Sequence, residues 1–246
     1  MDVLKLRITG RWAQFRKPET NNNPLTHDFI TKSALIGLMG AVLGKERKTQ
    51  MSALFPQLSE DLRYGVAVNG VVKKESWGFT LRSANSYFSI FERRNLKDLL
   101  ESRAPKQMEF LRDPDFTVVI ALYNERSREI FDDFCAAIRN DEACYTPILG
   151  LHNCPAELKW NDLFNGNAAG GDFVTQGFVP RDYKLGWDPS NLSMRVGYEK
   201  IPTYQNNDWW NLPDRYVAVA YPSNGTTLNA NGDHFKLNNG ETWCLI

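Results

Sequence analysis

The sequence predicts an α+β fold: a ferredoxin-like, RRM-like βαββαβ core that carries one long insertion and is followed by a smaller β-rich lobe. Three observations predict it. Apolar and basic residues alternate over residues 3–8 (VLKLRI), the two-residue period of a half-buried strand. Residues 116–122 (FTVVIAL) are β-branched and almost wholly apolar, the mark of a central strand. Two helical patterns, residues 31–48 and 128–139, fall between the strand patterns in the order strand, helix, strand, excursion, strand, helix, strand.

Each element has its own signals. The first strand leads into FRKPETNNNPLTHDF, residues 15–29, a polar, basic, asparagine-rich loop. In the helix that follows (TKSALIGLMGAVLGKERK), Thr31 or Ser33 can cap the start, and Gly44 with Lys45, Arg47 and Lys48 marks the end. This helix is apolar on nearly every face, so it is expected to be buried on more than one side. Gly37 and Gly40 share one face, and each costs roughly 1 kcal/mol against Ala in a helix interior. A close approach by backbone or ligand is the simplest offset. Residues 62–72 (LRYGVAVNGVV) form the second strand, with Gly70 near a turn. Residues 128–139 (REIFDDFCAAIR) place Ile130, Phe131, Phe134, Cys135 and Ile138 on one stripe of a helix. Residues 145–151 (YTPILGL) are expected as the fourth strand.

Beyond about Glu157 the texture changes. NGNAAGGD (165–172) is expected as a flexible loop, RYVAVAY (215–221) as a strand, and NANGDH (229–234) as the centre of a hairpin. The expected division is residues 1–157 for the core, with an insertion over about 70–107, and 158–246 for the small β-rich lobe.

Composition bounds the function. The 246 residues are 42% hydrophobic and 24% charged, ordinary for a globular chain with a sizeable core. The four cysteines form no CxxC pair, and the start MDVLKLRITG has no signal-peptide pattern, so a cytoplasmic protein with reduced thiols is expected. The longest apolar run, residues 34–43, is too short to cross a bilayer, and no membrane partner is expected. The net charge of zero hides an asymmetry: residues 1–107 carry 18 Lys+Arg against 10 Asp+Glu, and the remaining 139 carry 11 against 19. A basic half points to a polyanion if the charge is also well placed; solvated charges of uneven sign are the plainer account.

Motifs for catalysis are absent. There is no GxSxG, HExxH, Walker A or GxGxxG, and NGNAAGGD lacks the Lys-Ser/Thr that would hold a nucleotide phosphate. His152 and Cys154 find no further ligands at workable spacing, so neither metal nor cofactor is expected. The basic excursion, residues 73–107, is different. It interleaves Lys73, Lys74, Arg82, Arg93, Arg94, Lys97, Arg103 and Lys106 with Trp77, Phe79, Tyr87, Phe88 and Phe91. Cations neutralise phosphates and aromatic rings stack on unpaired bases. A helical lid with its own small core would also fit, but a long excursion inside a compact domain is usually functional, which favours binding.

These residues bring out a resemblance. FRKPETNNNPLTHDFITKSALIGLMGAVLG resembles the N-terminal signature of the fifth numbered Cas family, RAMP-superfamily subunits of type I CRISPR interference complexes (Cascade). Phe15, Arg16, Lys17 and Pro18 match the loop of that signature, and Ser33, Ala34, Leu35, Gly37 and Leu38 match its helix. MEFLRDPDFTVVI (108–120), YTPILGLHNCPAEL (145–158) and YEKIP (198–202) are similar to later segments, so the resemblance runs nearly end to end. The type I-B branch is the most similar, with I-D and related systems as alternatives.

The resemblance implies a non-catalytic RNA-binding cap: an RRM-like RAMP domain, a protruding thumb hairpin where the basic excursion lies, and a small β-rich C-terminal lobe. It implies contacts to the 5′ handle of CRISPR RNA, to the backbone and large subunits, and indirectly to target DNA. On this reading Arg16, Lys17, Lys32 and Ser33 meet handle phosphates near a helix N-terminus, which already favours anions. Gly37 and Gly40 let RNA or a neighbouring strand come close. Arg93, Arg94, Arg103, Lys106 and Gln107 hold RNA from the thumb. Trp209 and Trp210, adjacent in the chain, cannot both face one core, and at least one is expected to meet a partner subunit; a partly buried loop anchor is the alternative. One branch of the family, in type I-C systems, also cuts precursor RNA without metal, using Tyr, Lys and His. Here the Thr-aromatic position reads Thr26-His27 and no Lys-His pair occurs, so His27 is expected to contact RNA or the helix start rather than to cut. A metal-independent endoribonuclease is the alternative.

Overall fold

The computed structural model describes residues 1–20, 23–45, 57–82, 103–186, 194–205 and 213–246. Arg93 and Arg94 of the basic excursion, and Trp209 and Trp210, lie outside the described residues.

The chain begins with β1 (Asp2–Gly10), whose Leu4, Leu6 and Ile8 are fully buried while Arg7 between them is exposed, the alternation its sequence dictates. The short β2 (Trp12–Ala13) and the loop 15–29 lead to α1 (Lys32–Val42). Thr31, not Ser33, caps this helix: its backbone is extended and its side chain accepts from the Ala34 amide. Gly44, at φ +65°, follows its last turn. Leu35, Ile36, Leu38, Met39 and Val42 are all buried. The single turn α2 (Leu58–Asp61) runs into β3 (Leu62–Val68). The excursion then rises as an antiparallel hairpin of β4 (Lys74–Arg82) and β5 (Arg103–Arg112), paired from Lys74↔Leu111 to Arg82↔Arg103, with β2 alongside β5. β6 (Asp115–Leu122) is buried along most of its length. A 3₁₀ turn (Glu125–Ser127) leads into α3 (Arg128–Arg139), which buries Phe131, Phe134, Cys135 and Ile138.

The next strand is β7 (Ala156–Ala169), and with it the antiparallel order β7–β1–β6–β3 is complete. Both α1 and α3 share one apolar core with Leu4, Leu6 and Ile8 of β1, so they cover the same face of the sheet. This is the ferredoxin-like arrangement.

Two expectations about this region are corrected. Residues 145–151 are not the fourth strand; only Ile148 makes a bridge, to Pro155. Gly150 sits at φ +91°, and a Cβ there would lie 1.8 Å from the Gln14 carbonyl oxygen. The segment therefore bends tightly against the Gln14 backbone instead of extending. Nor is NGNAAGGD wholly a loop. Asn165–Ala169 belongs to β7, held by long-range pairing of Asn165 with Asp2 and of Ala169 with His234. Cross-strand partners override the weak strand preference of Asn, Gly and Ala. The expected boundary at 157/158 falls inside this strand.

The C-terminal part supplies β8 (Asp172–Thr175), β9 (Val179–Pro180), β10 (Lys184–Gly186), β11 (Val196–Gln205), β12 (Pro213–Pro222), β13 (Leu228–Asn231), β14 (His234–Leu237) and β15 (Thr242–Trp243). Two small sheets form, β10–β13–β8 and β11–β12–β9, while β14 and β15 extend the central sheet beyond β7. The strand expected at 215–221 lies within β12. The hairpin expected at 229–234 is corrected: β13 and β14 flank that turn but pair in different sheets. Leu237, Trp243 and Leu245 cover Val3, Ala67, Val119 and Ala121 on the second face of the central sheet. Among the described residues no helix is long and apolar enough to cross a membrane.

Candidate nucleic-acid interface

The two described arms of the loop 15–29 are bonded to one another. Arg16 and Thr26 bridge antiparallel, with Lys17 N–H donating to Leu25 O at 2.9 Å and His27 N–H to Phe15 O at 2.8 Å. Thr20 pins the interior: its hydroxyl donates to Lys17 O and accepts from the Leu25 amide. Phe15 and Phe29 anchor both ends in the core, Phe29 stacking on Phe178 with centroids 5.7 Å apart.

Two carboxylates from elsewhere in the chain hold this loop. Glu109 of β5 accepts from the Thr26 amide at 3.1 Å, and its own amide donates to Pro24 O. Glu199 of β11 accepts from Lys17 Nζ at 2.8 Å and from the Asp28 amide at 3.2 Å. His27 Nδ1 lies 3.4 Å from the same carboxylate, an ion-pair distance; neither ring nitrogen makes a well-formed hydrogen bond. Lys74 of β4 closes the cluster, reaching Asp28 at 2.6 Å, Glu109 at 3.3 Å and Thr26 O at 2.9 Å. The Tyr221 hydroxyl donates to Asp28 from β12. Gly197 makes this possible: a Cβ there would lie 2.5 Å from the Tyr221 ring.

The electrostatics follow from this packing. Burial opposes ionisation of Glu199, but the neighbouring His27 ring and the hydrogen-bonded Lys17 ammonium outweigh it and bring its carboxyl down to about 2. Burial likewise disfavours the charged Lys74, yet Asp28 and Glu109 hold its ammonium above the usual range. Burial, then the Asp28 carboxylate, push the Tyr221 phenol far up, so it stays a proton donor.

The structure sorts the residues chosen from sequence. Arg16, Gly37 and Gln107 are exposed, and Lys17, Ser33 and Lys106 are partly so. Arg103 pairs with Arg82 in the hairpin, and its side chain lies outside the described residues. At Gly37 a Cβ would meet nothing within 4 Å, so that face of α1 is open. Three assignments are corrected. His27 is 1% exposed and lies beneath the loop, where it cannot meet RNA. Lys32 is 5% exposed; its ammonium donates to Ser59 O at 2.9 Å, and burial, Arg63 and Arg215 lower its pKa to about 8. It is an interior cation, not a phosphate contact. Gly40 is buried, so RNA contact is excluded there and, of the two approaches expected, only that of a neighbouring strand remains.

Sequence reasoning missed Glu199, Glu109 and Asp28. One signal was available for Glu199. It stands two residues before Ile201 in a strand, so the alternation puts its carboxylate on the buried face with that isoleucine. A carboxylate on a buried face must find cations or donors.

Comparison with known proteins bears on what this arrangement serves. A family model described as CRISPR-associated protein (Cas_Cas5) matches residues 3–181. The CRISPR system Cascade subunit CasD of Escherichia coli strain K12 is 28% identical over 171 residues, 69% of this chain and 72% of the E. coli protein. A CRISPR protein from Archaeoglobus fulgidus, seen in a crystal structure, superposes with a TM-score of 0.60 at 12% identity. That superposition covers 99% of this chain and 98% of the archaeal one, and it speaks to the fold.

Proposed function

The chain belongs to the Cas5 family of CRISPR-associated proteins, and from that premise we propose that it is an RNA-holding subunit of a type I Cascade complex. In this role it caps the 5′ handle of the CRISPR RNA and seats against the backbone and large subunits. One observation carries the reading: the loop bearing Arg16 and Lys17 is bonded directly to the hairpin bearing Lys106 and Gln107, through Thr26, Glu109 and Lys74. Two cation-bearing elements far apart in sequence are thus held against one another, as a grip on a polyanion requires. The match to the E. coli Cascade subunit supports the assembly in which that grip would act.

The same reading makes the subunit non-catalytic. Cleavage at this loop would call on His27 as general base, and His27 is buried under Glu199. Co-expression with the other subunits and a CRISPR array tests the proposal. The purified complex is expected to hold small RNA with a uniform 5′ end; a complex without such RNA would sink the reading. Incubating the isolated chain with repeat RNA in EDTA is expected to leave the RNA intact, and specific cleavage there would revive the nuclease alternative.

A further inference from the structure

We propose that Glu199 is a positioning residue: from the C-terminal β11 it fixes the backbone of the loop 15–29 and aims Lys17 for a phosphate. This rests on the RNA-holding reading above. Three contacts carry it. The carboxylate takes a backbone amide, Asp28, with one oxygen and the Lys17 ammonium with the other, and it lies against the His27 ring. It is itself 95% buried as a side chain, whereas Lys17 remains 22% exposed. An ammonium has three N–H groups, and Glu199 takes one of them. The partly exposed remainder can donate to a phosphate oxygen without leaving the carboxylate. Held in this way, Lys17 has lost its rotamer freedom before the ligand arrives.

The geometry also explains a charge that is otherwise out of place. A carboxylate beside a phosphate-binding lysine opposes phosphate by simple Coulomb repulsion. As a positioning group it does the opposite, because an unheld loop and a free lysine bind more weakly than an ordered pair. The two roles therefore predict opposite signs for the same substitution.

Two measurements on the full chain test this, with Glu199→Gln, Lys17→Met and the double variant. The first needs no RNA. Amide hydrogen exchange in Glu199→Gln is expected to quicken at Lys17, His27 and Asp28, while β1 and β6 keep their protection. Unchanged exchange across the loop overturns the proposal. The second is affinity for a labelled single-stranded RNA of the repeat-derived handle. Each single variant is expected to bind about tenfold more weakly, the scale of one charge-assisted contact, and the double variant no more weakly than either. Tighter binding by Glu199→Gln, or losses that multiply in the double variant, overturns it. If the wild-type chain binds no RNA while loop exchange responds as expected, the RNA-holding reading falls and the bracing by Glu199 stands.

Discussion

Two buried carboxylates, Asp61 and Glu199, gather donors from distant segments, and they do so to different degrees. Asp61, ending α2, accepts from Arg126 Nε at 2.7 and 2.8 Å and from the Ser127 hydroxyl at 2.5 Å. Its backbone carbonyl takes the amides of Tyr123 and Asn124 as well. Among the described residues no buried side-chain atom of this network lacks a partner, and the result ties the end of β6 to the start of α3. Glu199 is met by Lys17, by the Asp28 and Lys200 amides and by a histidine with no good hydrogen bond on either ring nitrogen. A complete network rigidifies a core; an incomplete one marks a place where something other than stability sets the residues. The second network sits under the loop proposed to hold RNA, and the first does not.

The largest effect that tests this contrast is loss of Asp61. Asp61→Ala is expected to destabilise the fold by about 3 kcal/mol, since hydrogen bonds to a buried charge are each worth roughly 1.5–3 kcal/mol before the surroundings relax. The Arg126 side chain is half-exposed and can turn to water, which limits the loss. Urea denaturation reads it as a lower midpoint at unchanged slope. A shift no larger than that of a surface substitution would show that Asp61 is no more structural than Glu199.

What the sequence made legible divides along the same line. β1, β6, α1 and α3 were plain because their signals are local: alternation, a β-branched run, a Thr cap and a Gly stop. β7 was hidden because its second half is Asn, Gly and Ala, and its pairing comes from Asp2 and His234. Residues 145–151 misled because an apolar run looks extended until Gly150 is known to sit at positive φ against Gln14. In the candidate site, Arg16 and Lys17 were legible as cations in a polar loop. Glu199 stands 182 residues from Lys17, and nothing local to either announces the pair. His27 and Lys32 were misplaced for one shared reason: residue type suggests a ligand contact, and only the fold decides whether that residue faces solvent.

A middle-sized effect is the acid response of Glu199. Its folded pKa of about 2 lies below the unfolded 4.5, so its ionisation stabilises the fold fully above 4.5. That contribution is lost as pH falls from about 4.5 towards 2. Melting temperatures of wild type and Glu199→Gln, measured across this window, are expected to converge as pH falls. A constant offset between them would mean that the Glu199 charge is not engaged in the folded state.

The smallest effect is expected at His27, and it sharpens the comparison most. Neither ring nitrogen is well bonded and His27 acts on the Glu199 carboxylate only from 3.4 Å, beside the closer Lys17 and backbone amides, so an apolar ring loses little there. His27→Phe is expected to change stability by no more than about 1 kcal/mol, since removing a buried polar group that lacks a partner does not strand another. The Glu199 carboxylate keeps Lys17 and the Asp28 amide. Urea midpoints decide the matter. A loss as large as that of Asp61→Ala would mean the His27–Glu199 contact at 3.4 Å is a structural ion pair, and the two networks would then be alike.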